Sequence, residues 1–279
     1  VKIAVIGAKG MLGSELCSAL GSSHQVVPWD IGEIDITARA ATIDKLSSLK
    51  PDFILNAAAL VDVEVCEKEP DTAWKVNATG SQNLALAARE LDCGYLYIST
   101  DYVFDGRARE DYDEFASPSP INQYGKSKLA GEKLALGIWP RTYIVRTAWL
   151  FGHRPGNYVD RVLTAARKDG VVRMPEDQVE SPTYTMHLAV AIHDLIPTGA
   201  YGTYNVTSLG SCTRLEFARY VLEKAGRSVP LETLDAGKVS RAARRPGRTV
   251  LDCRLYRSVT GRALPPWQKG IDEYLSRAR

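Results

Sequence analysis

The 279 residues exceed one minimal domain, and a hydrophobic fraction of 45% with 24% charged residues is that of an ordinary globular chain. The formal charge of +2 leaves no basic footprint of the kind that nucleic acid or an anionic membrane surface selects. No apolar run approaches the ~20 residues of a membrane-spanning helix, and the opening strand at Val1 to Ile6 leaves no room for a signal segment, so the cytoplasm is the expected compartment.

In chain order, short apolar runs predict buried parallel strands at Lys2–Ile6, Gln25–Trp29, Phe53–Asn56, Tyr95–Ser99 and Thr142–Thr147. Helical spacing lies between them, with Leu12, Leu16, Ala19 and Leu20 on one face and Leu84, Ala87, Ala88 and Leu91 on another. Alternating strands and helices imply right-handed βαβ units and an α/β, doubly wound parallel sheet of the Rossmann type. After Phe151 the pattern is broken by Gly152, Pro155 and Gly156, and later by Pro175, Pro182 and Pro197. Residues 1–150 are therefore expected to bind a dinucleotide and 151–279 to form mostly a smaller substrate lobe, with a strand near 203–206 returning to the main sheet. A helix led by Thr213 and running to Lys224 follows, and 241–248 reads as a basic loop.

Three constellations carry chemistry. Gly7, Gly10 and Gly13 lie between the first strand and the first helix, where glycine permits a tight turn and backbone approach to a pyrophosphate at a helix N-terminus. Their Gly-x-x-Gly-x-x-Gly spacing is one residue longer at the start than the dehydrogenase fingerprint. Asp30 closes the second strand, where a carboxylate accepts hydrogen bonds from an adenosine ribose and repels a 2′-phosphate, an effect that Lys9 would offset. Tyr124 and Lys128 stand at i and i+4 of a helix expected over 122–136, the arrangement in which a lysine cation stabilises a tyrosinate. Tyr220 and Lys224 repeat that interval far from the glycine loop and read as surface neighbours. Thr100 ends a strand, where side chains face the ligand crevice of a doubly wound sheet.

The five cysteines are unpaired in pattern and the four histidines have no ligand spacing, so neither disulfide nor metal is expected.

The glycine loop, Asn56-Ala57-Ala58-Ala59, Ser99-Thr100-Asp101-Tyr102-Val103-Phe104, Tyr124-Gly125-Lys126-Ser127-Lys128 and Arg146-Thr147-Ala148-Trp149 resemble the extended short-chain dehydrogenase/reductases. Within them the chain is most similar to the dTDP-4-dehydrorhamnose reductase family, nearly end to end, through Asp177-Gln178, Ser181-Pro182-Thr183, Arg245-Pro246-Gly247 and Leu264-Pro265-Pro266-Trp267. The resemblance implies NADPH or NADH as cofactor and a nucleotide-linked 4-keto sugar as substrate. It implies Thr100, Tyr124 and Lys128 as catalytic residues. It implies a cofactor site of Gly7, Lys9, Gly10, Met11, Leu12, Gly13, Asp30, Asp35, Ile36, Ala57, Ala58, Ala59 and Asn77 together with Tyr124 and Lys128. Thr100, Asp101 and Trp149 would touch the sugar, and Arg245 in the basic loop the diphosphate. The chain departs from the family at Glu64, where relatives often carry aspartate. The alternatives are another nucleotide-sugar epimerase or ketoreductase, and a non-catalytic cofactor-binding subunit like the regulatory β subunit of methionine adenosyltransferase. A homodimer through helices flanking the sheet is compatible with the fold, without a surface pattern that selects it.

Overall fold

The computed structural model describes residues 1–154, 156–234 and 241–277. Its first half alternates as the hydrophobic pattern requires: β1 (Lys2–Ile6), α1 (Met11–Gly21), β2 (Gln25–Trp29), α2 (Arg39–Leu49), β3 (Phe53–Asn56), α3 (Val63–Lys68), α4 (Pro70–Trp74), a π turn at Lys75–Gly80, α5 (Ser81–Glu90), β4 (Gly94–Thr100), α6 (Gln123–Ile138) and β5 (Thr142–Thr147). The second half carries β6 (Leu150–Phe151), α7 (Tyr158–Lys168), β7 (Val172–Pro175), β8 (Val179–Glu180), β9 (Thr183–Tyr184), α8 (Thr185–Leu195), β10 (Gly202–Asn205), β11 (Cys212–Thr213), α9 (Arg214–Lys224), β12 (Leu231–Leu234), α10 (Arg254–Thr260) and α11 (Trp267–Arg277).

Six parallel strands form the main sheet in the order β10-β5-β4-β3-β1-β2. The period-2 pleat sends Ile3 and Val5 to one face, where they pack with Leu12, Leu16, Leu188 and Ile192 of α1 and α8. Ala4 and Ile6 face the other side, against Leu46, Leu84 and Ala88 of α2 and α5. Chain order reverses between β1 and β3, so a crevice opens beyond their carboxyl ends, the position at which open α/β sheets bind ligands.

A second apolar core gathers Phe151, Val162, Tyr184, Phe217, Trp267 and Tyr274 around α7, α9 and α11, edged by three two-stranded ladders. The chain interleaves the two cores more than proline and glycine positions indicate. Besides β10, which pairs with β5 from Gly202↔Tyr143 to Asn205↔Arg146, helix α8 returns to pack on α1. Its apolar face (Leu188, Ala189, Ile192, Leu195) covers sheet that would otherwise meet water. Among the described residues, no helix is long and apolar enough to cross a membrane.

Candidate active site

The glycine loop occupies the crevice. Gly7 has φ 81°, and a Cβ there would lie 2.6 Å from the Ala58 amide nitrogen. A Cβ on Gly13 would lie 2.0 Å from the Gly7 carbonyl oxygen, so the first turn of α1 closes onto the loop only with glycine. Gly10 precedes helix α1 and offers no side-chain cap, which leaves the first N–H groups of the helix, at the cavity-lining Met11, Leu12 and Gly13, without a side-chain acceptor. A cavity of about 460 Å³ beside the loop is lined by Gly7, Lys9, Gly10, Asp30, Asp35, Ile36, Ala57, Ala58 and Ala59. A second, of about 390 Å³, shares Gly10, Ala57 and Ala59 with it and continues past Met11, Leu12 and Gly13 to Thr100, Tyr124, Lys128 and Trp149. Two cavities with a shared wall of small residues form one elongated cleft, with the tyrosine and lysine at its far end.

Helix α6 delivers both side chains. Asn122 caps it by accepting from the Gly125 N–H at 2.8 Å. A Cβ on Gly125 would fall 2.1 Å from the Tyr102 carbonyl oxygen, so glycine permits the helix its approach to the end of β4. Beneath the helix, Arg146 of β5 pairs with Glu132 at 2.7 Å, both almost fully buried, and Ser99 also donates to Glu132. This pair ties the helix to two strands and is costly to break from one side.

Desolvation sets the protonation states. Burial pushes the Tyr124 phenol above its ordinary range, against the pull of the Thr100 hydroxyl. Burial draws Lys128 down to about 7, with Glu132 opposing. The Lys128 ammonium nitrogen donates to the Ile98 carbonyl at 2.6 Å and lies 4.0 Å from the Tyr97 ring centroid. The low dielectric therefore favours a protonated phenol, the form that can donate a proton. It also makes the lysine a weaker cation than the i, i+4 spacing by itself suggests.

Several residues sit differently from the sequence expectation. Asn77 is fully buried and lines neither cavity: its carboxamide accepts from the Leu60 N–H and donates to the Leu60 carbonyl and to Ser127, so it fixes the cleft wall from behind. Asp101 is likewise buried, accepting from the hydroxyls of Thr100 and Thr249, and burial reinforced by Glu180 pushes its carboxyl well above the usual range. Asp30 accepts from the Lys9 N–H at 2.8 Å, while the Lys9 ammonium pairs with Glu33 at 2.9 Å, a second carboxylate that the sequence reading did not single out. The basic loop is not an uncommitted cation cluster. Arg241 pairs with Asp177, Arg248 with Asp111, and Arg245 with Glu64 at 3.1 Å, because neighbouring loops and the first turn of α3 supply carboxylates to a nearly neutral chain. Glu64 also accepts from the Ala242 N–H at 2.7 Å. The Tyr220 hydroxyl donates to Asp272, with Lys224 over its ring at 5.2 Å, on α9 and away from the cleft.

Residues that the sequence left unassigned form a buried cluster beyond Trp149. Arg214 lies 3.7 Å from Glu180 and donates to the Gln178 side chain at 3.2 Å. Gln178 in turn donates to the Tyr102 hydroxyl and to Glu180. Positions 180 and 214 are far apart in sequence, and no spacing rule joins them.

The RmlD substrate binding domain family matches the chain over residues 1–279. Spore coat polysaccharide biosynthesis protein SpsK of Bacillus subtilis is 33% identical over 277 residues, covering 98% of this chain and 96% of that protein. A dTDP-4-dehydrorhamnose reductase of Aggregatibacter actinomycetemcomitans is 33% identical, with 97% of each chain covered. Among solved structures, dTDP-4-dehydrorhamnose reductase of Bacillus anthracis in complex with NADP superposes with a TM-score of 0.96 at 34% identity, covering 99% of both chains. The UDP-glucose 4-epimerase of Thermus thermophilus, at 21% identity and a TM-score of 0.84, shares the fold. With its glycine loop, its tyrosine and lysine in one cleft and a match along its whole length, the chain belongs to the RmlD substrate binding domain family.

Proposed function

We propose that the protein reduces the 4-keto group of a nucleotide-linked deoxysugar, dTDP-4-dehydrorhamnose to dTDP-L-rhamnose in the first instance, using NADPH or NADH. The observation that carries this reading is the junction of the glycine-loop cavity with the cavity holding Thr100, Tyr124 and Lys128. The cradle at Gly7 and Gly13, which a Cβ would fill, and the uncapped start of α1 suit a dinucleotide pyrophosphate. Bound there, the reduced nicotinamide supplies hydride to the carbonyl carbon.

The protein supplies the proton and the placement. Tyr124, held protonated by its burial, gives its proton to the carbonyl oxygen as negative charge develops there. Thr100, at the end of β4 beside Thr147 of β5, turns its hydroxyl to the same oxygen by exchanging its bond to Asp101 for one to the carbonyl. Lys128 anchors the ribose and balances the tyrosinate once the proton has left. Trp149 presents an aromatic wall to the sugar. Asp101 acts through Thr100, holding its hydroxyl at 3.1 Å before the carbonyl takes over that bond. Arg245 reaches the diphosphate by exchanging its Glu64 partner for phosphate oxygens. In this reading residues 1–150, completed by α8 and β10, hold the cofactor, and the core around α7, α9 and α11 holds the nucleotide sugar.

The test is net oxidation of NADPH or NADH by the purified protein with dTDP-4-keto-6-deoxyhexose, and identification of the product by NMR. Stoichiometric oxidation with formation of a 6-deoxyhexose is expected. Interconversion of sugars without net cofactor oxidation would point to epimerisation, and binding without turnover to a regulatory subunit.

A further inference from the structure

Trp149 is held in a conformation that its own backbone disfavours. Its φ of 41° lies in the left-handed region, strained for a bulky side chain, and its indole N–H is buried with no hydrogen-bond partner among the described residues. Neither the backbone nor a polar anchor fixes the ring, so its neighbours must. The Tyr158 ring meets it edge-on at 5.1 Å and Phe217 lies tilted at 4.8 Å, while the Arg214 guanidinium stands 4.9 Å from its centroid and 5.0 Å from that of Tyr158, in the angle between the two rings.

The guanidinium is the directional member of this set. It is fastened behind the ring by Glu180 and Gln178, and its side chain is only 13% exposed. Its own position is rigid for local reasons. β11 pairs with β8 so that Cys212 lies opposite Glu180, and Arg214 opens α9 directly after Thr213. Thr213 and Glu216 form a reciprocal capping box at that helix start. The carboxylate and the guanidinium are thus set by one ladder and one cap, and the indole rests on the result.

We propose that Arg214, braced by Glu180 and Gln178, is a positioning residue that fixes the Trp149 ring plane and so sets how the cleft accepts the sugar of its substrate. This rests on the reading above in one respect, that Trp149 faces the sugar; the brace itself does not depend on it.

Two measurements test the proposal. The first needs no substrate: acrylamide quenching of the Trp149 fluorescence component, taken as the difference between proteins with and without Trp149→Phe, in the parent, Arg214→Lys and Arg214→Met backgrounds. The component should become more accessible in both variants, because a lysine ammonium lacks the planar fork that reaches the indole while holding Gln178 and Glu180. An unchanged component in Arg214→Lys, which keeps the charge opposite Glu180 and so guards against misfolding, overturns the brace. The second is kinetic, with dTDP-4-keto-6-deoxyhexose. Arg214→Lys should raise KM for the sugar nucleotide roughly five- to thirtyfold, the range of a desolvated cation–π contact, and leave KM for the nicotinamide cofactor unchanged. Combined with Trp149→Phe the effects should be less than additive; full additivity would mean that Arg214 acts independently of the indole, and the positioning role would fall. A shift in quenching in a protein that does not turn over this substrate would leave the brace standing and remove the proposed activity.

Discussion

Replacing Lys128 with methionine should make the protein more stable at neutral pH while abolishing turnover. The lysine is 2% exposed, with the Ile98 carbonyl and the Tyr97 ring as its near contacts, and burial lowers it to about 7. An unfolded lysine titrates near 10.4, so between about pH 7 and 10.4 the unfolded chain binds more protons than the folded one, and stability rises with pH across that window. The penalty is full below pH 7 and absent above about 10.4. At ~1.4 kcal/mol for each tenfold, it comes to about 4 kcal/mol at pH 7. Methionine has a similar stem and no charge; it forgoes the bond to Ile98, worth about 1–2 kcal/mol. The net gain is about 2–3 kcal/mol at pH 7, turning into a loss of about 1–2 kcal/mol near pH 10.5. Urea unfolding of the cofactor-free proteins at pH 7, 8.5 and 10.5, followed by far-ultraviolet circular dichroism, measures both limits. A methionine variant less stable than the parent at pH 7, or a difference independent of pH, would show that the ammonium is not desolvated as argued.

Tyr124→Phe should keep cofactor affinity and lower kcat by ~10²-fold or more, while Tyr220→Phe, on the far surface of α9, leaves steady-state kinetics unchanged. Gly13→Ala places a methyl group 2.0 Å from the Gly7 carbonyl oxygen; at a repacking cost of about 1–3 kcal/mol it should weaken NADPH and NADH binding together, measured by fluorescence titration. Asp30→Ala should shift the kcat/KM ratio toward NADPH by removing a carboxylate from the ribose end of the cleft, and an unchanged ratio would separate this residue from cofactor choice. Arg245→Ala should raise KM for the sugar nucleotide by roughly tenfold, whereas Glu64→Gln, which weakens the competing pair, should lower it; equal KM values in all three proteins would place the diphosphate elsewhere.

The parallel sheet follows from sequence because its signals are local. Four- to seven-residue apolar runs alternating with helical spacing specify βαβ units, and the strands lie within a residue of their expected limits. The glycine loop is equally local, as turn, strand end and helix start fall within seven residues. Tyr124 and Lys128 could be paired in advance because one helix carries both, and the resemblance to a family brought Thr100 and Trp149 beside them. What the chain did not disclose in one dimension is how charge is partitioned in the folded molecule. Glu64 and Arg245 lie 181 positions apart and meet only when the 241–248 loop folds against the start of α3, so a loop that reads as free cation is largely neutralised. Lys128 reads as a plain cation until burial is known, since desolvation depends on the depth of its surroundings rather than on its neighbours in sequence. Glu180 lies on β8, Arg214 on α9 and Trp149 in the link between β5 and β6; the β8–β11 ladder and the cap of α9 set the carboxylate and guanidinium, and the Thr183 N–H holds the Trp149 carbonyl, so the three meet only in the folded chain.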